Sequence, residues 1–235
     1  KVFTKLILRE NNVPVVDFKH ITKQDWDTSY EKFIKICEEE FGYPMYIKPA
    51  RLGSSIGISK VNSKEEFINS VSIAFSFDNK IIVEKSIENA KELNCAVLGY
   101  KKTIVSEIEE IIKQKEFFDF NEKYVNKGKK FSNHKIPAEI EEKTKQEIIE
   151  LAKKTFKSLD CYGNIRIDFL YKDKVYVNEV NTIPGALAFY LWQASGLTFT
   201  HLIDNMINIA EEVYKDKKNK IYSIETNILS IKGAK

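Results

Sequence analysis

The segment at residues 164–181, NIRIDFLYKDKVYVNEVN, limits the folds open to this chain more than any other part of the sequence. Its apolar residues alternate with polar ones, so Ile165, Ile167 and Phe169 fall on one face of an extended strand. A second alternating run follows after a short polar stretch, which is typical of a β-hairpin with one face on a core. The chain must therefore contain an antiparallel sheet whose second face carries polar side chains.

The polar face of this hairpin collects groups that can bind a metal ion. Arg166 and Asp168 alternate with the apolar residues of the first strand. In the second strand the alternation puts four residues on one face, namely Val175, Val177, Glu179 and Asn181. Two carboxylates and an amide oxygen are hard ligands of the kind that Mg²⁺ prefers, and Mg²⁺ commonly completes its shell with substrate phosphates. The alternative is an exposed hairpin face carrying a weak Arg166–Glu179 ion pair.

The register of the hairpin depends on the turn that joins its strands. A two-residue turn at 172–173 places Arg166 opposite Glu179 and Asp168 opposite Val177. Asp168 and Glu179 are then diagonal neighbours within joint reach of one ion. A three-residue loop would instead send Glu179 to the opposite face.

The segment at residues 46–60, YIKPARLGSSIGISK, combines a lysine at a strand end with a loop of small residues. Lys48 alternates with Ile47 and so leaves the apolar face of its strand. One interpretation is a β-hairpin whose turn needs flexibility. The other is a flap whose amides and hydroxyls close over phosphates held by the lysine. The loop residues concerned are Gly53, Ser54, Ser55 and Gly57.

Further candidates lie near strand ends and in one long connection. Glu84 and Lys85 end a strand and could present backbone groups to an adenine edge, and Glu92 could accept from ribose hydroxyls. The alternative is that they are charged residues flanking a strand. Residues 113–136 lack a clear period, which indicates a functional or mobile connection. After Pro184, the Gly185 N–H could bind an anion.

Composition excludes several classes of function. The 37 basic and 34 acidic residues are interleaved, so no stripe for nucleic acid is expected. No apolar run approaches the roughly 20 residues that cross a bilayer. The three widely spaced cysteines build neither a disulfide framework nor a metal knuckle. We therefore expect a cytoplasmic protein that binds neither nucleic acid nor membrane.

Helical and extended patterns occur on both sides of about residue 100, which predicts a mixed α+β fold with two strand-helix clusters. The predicted helices cover about 2–11, 27–41 with Gly42 just past its end, 63–77, a long stretch after Pro137, 189–195 and 200–215. The predicted strands are 13–18, 45–49, 57–61, 80–85, 93–100 and the hairpin, with a weakly ordered tail or last strand from Asp216.

Together these segments resemble the ATP-grasp superfamily, and within it the D-alanine–D-alanine ligases. The similarity covers nearly the whole chain in order. Its segments are KVFTKLILRENNVPVV, YIKPARLGSSIGISKV, IIVEKSIENAKELNCAVLG, FFDFNEKYVNKGKKFSNHKIPAEI, CYGNIRIDF and VNEVNTIPG.

The resemblance implies an α+β ATP-grasp fold in which two subdomains with antiparallel sheets clasp ATP between them. Residues 1–100 would form the first, lid-type subdomain, and residues 101–235 the second, with the metal hairpin and the carboxy-terminal helices. The family has a further amino-terminal substrate domain that this sequence lacks. The sequence is then either a fragment or an unusually short relative.

The resemblance also implies roles for single residues. Catalytic roles fall on Ser54, Tyr124, Arg166 and Gly185, of which Arg166 and the Gly185 amide would stabilise a tetrahedral oxyanion. ATP binding falls on Lys1, Lys48, Gly53, Ser55, Gly57, Glu84, Lys85, Glu92 and Lys123. Metal binding falls on Asp168, Glu179 and Asn181.

The implied activity is an ATP-dependent ligation of two D-amino acids through an acyl phosphate, for peptidoglycan precursors. The implied cofactors are ATP and Mg²⁺, with Mn²⁺ as a substitute. The implied partners are D-alanine or related amino acids, and the resemblance also allows a homodimer. Alternatives are a ligase for another amino-acid pair, or a nucleotide-binding module without full ligase activity. The stretch after NTIPG is short, so the second amino acid stays open.

Overall fold

The computed structural model describes residues 1–112 and 133–220. These residues form two antiparallel sheets with helices packed on them. The first sheet has the strand order β1-β4-β2-β3. Its strands are β1 (Phe18–Thr22), β2 (Met45–Pro49), β3 (Ser59–Val61) and β4 (Lys80–Lys85). Helices α2 (Lys23–Phe41) and α3 (Lys64–Phe75) pack on one face of it, around Met45, Ile47 and Val83.

The second sheet has the strand order β10-β9-β5-β7-β8, with β6 paired to β5. Its strands are β5 (Lys91–Gly99), β6 (Thr103–Val105), β7 (Glu109–Ile112), β8 (Asn133–Lys135), β9 (Gly163–Tyr171) and β10 (Val175–Asn181). One face packs on α4 (Glu142–Ser158), through residues such as Ile148 and Ile167. The other face is covered in part by α5 (Phe189–Ala194) and α6 (Phe199–Lys218).

Helix α1 (Val2–Glu10) lies between the two sheets and contributes to a core on each side. Val2 packs with Ile82 of the first sheet, whereas Leu8 belongs to the core of the second sheet. Because apolar residues line both sides of this helix, it fixes the two sheets relative to each other.

Local capping explains where the helices begin and end. The Thr22 hydroxyl accepts from the Asp25 N–H at 3.2 Å, which starts α2 four residues before the predicted residue 27. Ser63 caps α3 as predicted, although the Glu66 side chain accepts from the Asn62 N–H. The predicted stop at Gly42 is confirmed, since its left-handed backbone ends α2.

Three boundaries differ from the sequence-based expectations. Of the predicted strand at 13–18, residues 13–17 form no strand: Val15 makes an isolated bridge to Val177, and β1 starts at Phe18. The sheets change between β4 and β5 rather than near residue 100, because β5 pairs along its whole length with β9. Helix α6 continues to Lys218, past the predicted start of the tail. Residues 221–235 lie outside the described part.

Within residues 1–112 and 133–220, no helix combines the length and apolar character needed to cross a membrane.

Gly57 gives a test of the loop between β2 and β3. Its φ is +68°, and an added Cβ would lie 2.8 Å from the Phe77 ring and 2.9 Å from Pro49 Cγ. We expect Gly57→Ala to lower the free energy of unfolding by about 1–3 kcal/mol, measured by urea denaturation.

The matched control is Gly53→Ala in the same loop, where an added Cβ meets nothing within 4 Å. Its free energy of unfolding should stay within about 0.5 kcal/mol of the parent. Equal stability of the two variants would contradict the loop conformation described here.

Candidate active site

The hairpin of β9 and β10 changes its register halfway along. Val175 pairs with Tyr171 and Val177 with Phe169, but the next pair is Glu179 with Asp168. Asn178 is therefore the extra residue of a β-bulge. The Val177 N–H donates to the Pro14 carbonyl at 2.8 Å, so the backbone of β10 turns towards the segment that follows α1 at this point.

The predicted two-residue turn is wrong. Residues 172–174 form a three-residue loop, which alone would direct Glu179 to the core face beside Ile167. The bulge at Asn178 restores Glu179 to the polar face. It also places Glu179 directly opposite Asp168, not diagonal to it.

Asp168, Glu179 and Asn181 thus share one face of the second sheet, together with Arg166. The Asn181 amide donates to Asp168 Oδ2 at 3.1 Å. Arg166 contacts Asp168 through Nε at 2.8 Å and Nη2 at 3.2 Å. The expected alternative, an Arg166–Glu179 pair, does not describe this face, because Arg166 lies opposite Asn181 and Glu179 pairs with the Lys1 ammonium.

The row of polar side chains continues across the sheet. Asn94 of β5 pairs with Asp168 on one side and with Glu109 of β7 on the other. Asn94 is buried, and within the described residues its Oδ1 atom has no hydrogen-bond partner. A buried oxygen of this kind calls for a water or an ion beside it.

The donor set fits a hard divalent cation. Two carboxylates on neighbouring strands and an amide side chain supply oxygen ligands, and the unpaired Asn94 oxygen lies beside Asp168. Burial raises the pKa of Asp168, and the charge of Glu179 raises it further, against the hydrogen bond from Arg166. A cation would relieve that repulsion. No cluster of three His, Cys, Asp or Glu occurs in the described part of the chain, so Asn181 is needed for a third ligand.

The sheet face that carries Asp168, Glu179 and Asn181 is called the metal-ligand face below. A cleft of about 620 Å³ opens beside it. Its walls are the start of α1 with Lys1 and Lys5, the loop after β2, and the end of β10. Glu179 and Asn181 line it from one side, and Gly53 from the other. The volume is within the range of sites that bind nucleotide-sized ligands.

The loop at 50–58 joins β2 and β3 as a hairpin, so the first interpretation of this segment is correct as geometry. With nine residues it is longer than a turn requires. Ser54 and Ser55 have left-handed backbones with φ of 55° and 60°. Gly57 is explained by packing, whereas nothing in the described structure requires glycine at Gly53.

A buried group of one carboxylate and two lysines lies under the cleft. Glu84 is 3% exposed and contacts Lys48 at 2.5 Å and Lys5 at 3.0 Å. Lys48 leaves the apolar face of β2 as predicted, but its ammonium contacts Glu84. Glu84 pairs with Phe18 and Tyr46 through its backbone, so its main chain is committed to two neighbouring strands and only its side chain faces the lysines.

Charge pairing sets the protonation of this group. Burial opposes the charged form of Glu84, but Lys48 and Lys5 outweigh it and lower the pKa of Glu84 to about 2. Burial also opposes the charge on Lys48, yet Glu84 raises the pKa of Lys48 above its usual value. For Lys5, burial is the stronger effect, and the pKa of Lys5 is lowered.

The remaining predicted residues occupy varied positions. The Lys85 N–H donates to the Asp17 carbonyl, and Glu92 lies on the same sheet face as Asn94. Gly185 follows Pro184 at the start of a short turn, with open space around its Cα. Lys123 and Tyr124, in the predicted long connection, lie outside the described residues.

Several side chains at this site carried no local signal in the sequence. Lys5 is one charged position in an ordinary amphipathic helix, and only the fold brings it to Glu84. Glu109 is buried, with His134 on its Oε1 and the Tyr190 hydroxyl 3.0 Å from its Oε2. Glu109 lies in a polar alternation that could have indicated a functional strand face, but its partners are 25 and 81 residues away.

Glu84 makes stability depend on pH in a defined direction. Its pKa is lower in the folded state than the ordinary 4.5, so its contribution is complete above about pH 5 and is lost as pH falls towards 2. Glu84→Gln leaves two buried lysines without a counter-charge and should lower the free energy of unfolding by about 3–5 kcal/mol at pH 7. This difference between parent and variant should shrink by roughly 2 kcal/mol at pH 3.

Urea unfolding at the two pH values measures this effect. The control is Glu150→Gln on the exposed side of α4, which should change stability by less than about 0.5 kcal/mol. A Glu84→Gln penalty of the same size at both pH values would contradict the charge assignment.

Comparison with known proteins gives the family. The protein-family model described as "D-ala D-ala ligase C-terminus" matches residues 7–208 of the sequence. The chain is 60% identical over its whole length to a D-alanine–D-alanine ligase of Thermosipho africanus, of which it covers 64%. It is 59% identical to the ligase of Thermosipho melanesiensis, of which it covers 63%. The chain thus spans slightly less than two thirds of these curated relatives.

Solved structures agree on the fold. The D-alanine–D-alanine ligase of Coxiella burnetii superimposes with a TM-score of 0.75 at 28% identity, over 93% of this chain and 58% of that protein. The VanG D-Ala:D-Ser ligase of Enterococcus faecalis superimposes with a TM-score of 0.76 at 32% identity, over 89% of this chain and 60% of that protein. The predicted α+β ATP-grasp fold is confirmed. The chain belongs to the family of D-alanine–D-alanine ligase carboxy-terminal domains.

Proposed function

We propose that this chain is the ATP-binding and catalytic part of an ATP-dependent ligase that joins two D-amino acids for peptidoglycan precursor synthesis. The observation that carries the proposal is the row of Glu179, Asp168 and Asn94 on one sheet face, at the edge of a cleft lined by lysines. This arrangement suits a metal-bound polyphosphate: the carboxylates would hold the metal ion, and the lysines would neutralise negative charge on the phosphates.

The proposed metal ligands are Asp168, Glu179 and Asn181, which would hold Mg²⁺ or, as a substitute, Mn²⁺. When bound, the ion would neutralise charge on the phosphates of ATP. Glu179 now pairs with Lys1, and Asp168 with Arg166. A cation on the carboxylates would release both basic side chains towards the phosphate and the reacting carboxyl group.

The lysines of the cleft have different proposed tasks. Lys1 and Lys5 line the cleft directly, and Lys48 is held under it by Glu84. Glu84 fixes the position of two ammonium groups, so the positive charge is in place before the nucleotide arrives. Preorganised charge of this kind needs no rearrangement during phosphoryl transfer.

The loop at 50–58 is proposed to cover the phosphates. Gly53 lines the cleft with nothing within 4 Å of an added Cβ, so its backbone can come close to a ligand. Ser54 and Ser55 follow directly, with left-handed backbones that redirect their amides. Exclusion of water by such a loop would protect an acyl phosphate from hydrolysis.

Arg166 and the Gly185 amide are proposed to stabilise the oxyanion formed when the second amino acid attacks the acyl phosphate. Burial opposes the charge on Arg166, but Asp168 keeps the pKa of Arg166 above its ordinary value, so the guanidinium stays charged. A fixed positive charge beside the reacting carbon stabilises a developing negative charge. Lys123, Tyr124, Lys85 and Glu92 keep their proposed roles in nucleotide binding and closure.

D-Alanine is the proposed first substrate, because the close relatives are named D-alanine–D-alanine ligases. The second substrate is proposed to be D-alanine, with D-serine as the alternative, since one structural neighbour is a D-Ala:D-Ser ligase. A cytoplasmic location and a homodimer are further expectations from the resemblance.

Replacement of Glu179 tests the metal assignment. We expect Glu179→Gln to lower Mg²⁺-dependent phosphate release with ATP and D-alanine to about 1% of the parent or less, because one metal oxygen is lost. The thermal unfolding midpoint should change little, since Glu179 lines an open cleft. The assay uses the complete polypeptide that contains this chain, with Glu150→Gln as the control.

The outcomes separate the alternatives. Activity close to the parent value in Glu179→Gln would remove the metal assignment. ATP binding by the parent without phosphate release, with any of a panel of amino-acid pairs, would instead indicate a nucleotide-binding module without ligase activity.

The loop at 50–58 gives a second test. Gly53→Ala places a methyl group in the cleft, and we expect the Kd for ATP with Mg²⁺ to rise roughly tenfold, or ~1.4 kcal/mol, at unchanged stability. Isothermal titration calorimetry measures this change. Unaltered ATP affinity would show that the loop does not approach the nucleotide.

A further inference from the structure

The segment that follows β10 has an unusual backbone. Ala186, Leu187 and Ala188 have φ values of 46°, 54° and 50°, so three successive residues with side chains are left-handed. Each such residue is strained, and a run of them persists only where the surrounding structure holds it. The left-handed run follows Gly185 directly and starts three residues after Ile183, which lines the cleft.

Asn164 of β9 holds this turn. Its Nδ2 donates to the Leu187 carbonyl at 2.6 Å, and its Oδ1 accepts from the Trp192 indole N–H at 3.0 Å. Asn164 is 5% exposed and Trp192 is 1% exposed, so both bonds are shielded from water. Buried hydrogen bonds of this kind fix the direction of the groups that they join.

Asn164 is also two residues before Arg166 on the same strand, so their side chains leave the same face of the sheet. One side chain thus joins the strand that carries Arg166 to the turn that carries Gly185. A second attachment lies beyond the turn, where the Tyr190 hydroxyl donates to Glu109 at 3.0 Å.

We propose that Asn164 is a positioning residue that holds the left-handed turn at 186–188 and so fixes the Gly185 N–H relative to Arg166. The inference rests on the proposed function. In the structure described here, Gly185 has an ordinary φ and open space around its Cα, so packing does not require glycine there. Asn164 does not line the cleft, and its side chain is used by two bonds, one to the turn at Leu187 and one to Trp192 of α5.

The test is Asn164→Leu, which keeps the size of the side chain and removes both hydrogen bonds. We expect kcat for ligation to fall roughly tenfold, while the KM for ATP stays within about twofold. Hydrogen exchange of the peptide covering 183–189 should become faster, because the turn loses its attachment. Trp192→Phe removes the indole donor alone and should have a smaller effect on both quantities.

A double variant separates positioning from general stability. Ala186 is exposed, and Ala186→Gly relieves one left-handed residue at little packing cost. In the Asn164→Leu background it should recover part of the lost thermal stability but not the lost kcat. Recovery of kcat together with stability would overturn the proposal, as would a parent-like kcat in Asn164→Leu.

The two proposals fail in different ways. A parent polypeptide that releases no phosphate with ATP and D-alanine would overturn the proposed function. Hydrogen exchange at 183–189 does not depend on activity, and an unchanged rate in Asn164→Leu would overturn the role of Asn164 even in an active enzyme.

Discussion

The hydrogen bond from the Val177 N–H to the Pro14 carbonyl is the interaction on which the site depends. It draws the middle of β10 towards the segment after α1 and accompanies the bulge at Asn178. Without the extra residue, the three-residue loop at 172–174 would turn Glu179 into the core. The bulge therefore decides whether two carboxylates can share a cation, and directly beside it this backbone contact joins segments about 160 residues apart. The same contact attaches α1, with its lysines, to the metal-ligand face.

Charge pairing is the second organising principle. Three carboxylates proposed for the site have basic partners, and the pairs are Lys1 with Glu179, Arg166 with Asp168, and Lys48 and Lys5 with Glu84. The first two pairs lie at or beside the cleft, where a metal and phosphates could replace the partners. The third is buried and is suited to hold charge in place, because its ions have lost their water and gain nothing from separation. The ion pairs that a ligand could replace thus lie at the cleft, and the ion pairs that stay in place lie buried under it.

Much of the fold could be predicted because its signals are local. The alternation at 164–171, the caps at Ser63 and Gly42 and the strand carrying Lys48 depend on residues within a few positions of each other, and the structure agrees with each. The strand expected at 13–18 is wrong for residues 13–17, which form an isolated bridge from Val15 to Val177 instead of a strand. No pattern around residue 15 indicates that partner. The start of α2 was missed because Thr22 caps it while also ending β1. The change of sheet before β5 was missed because pairing partners of a strand are not written in its own composition.

By itself, the sequence determined which side chains share a face wherever a strand is regular, since that depends only on the two-residue period of an extended chain. It therefore named Asp168, Glu179, Asn181 and Lys48 as candidates. The period failed in β10, because the bulge at Asn178 puts Glu179 on the face opposite Val177. Only the tertiary structure decided how those faces meet: the bulge that sets Glu179 opposite Asp168, the burial of Glu84 between Lys48 and Lys5, and the hold of Asn164 on a left-handed turn. These features depend on contacts between residues far apart in sequence, whose geometry follows from packing of the whole chain and leaves no periodic trace in any one segment.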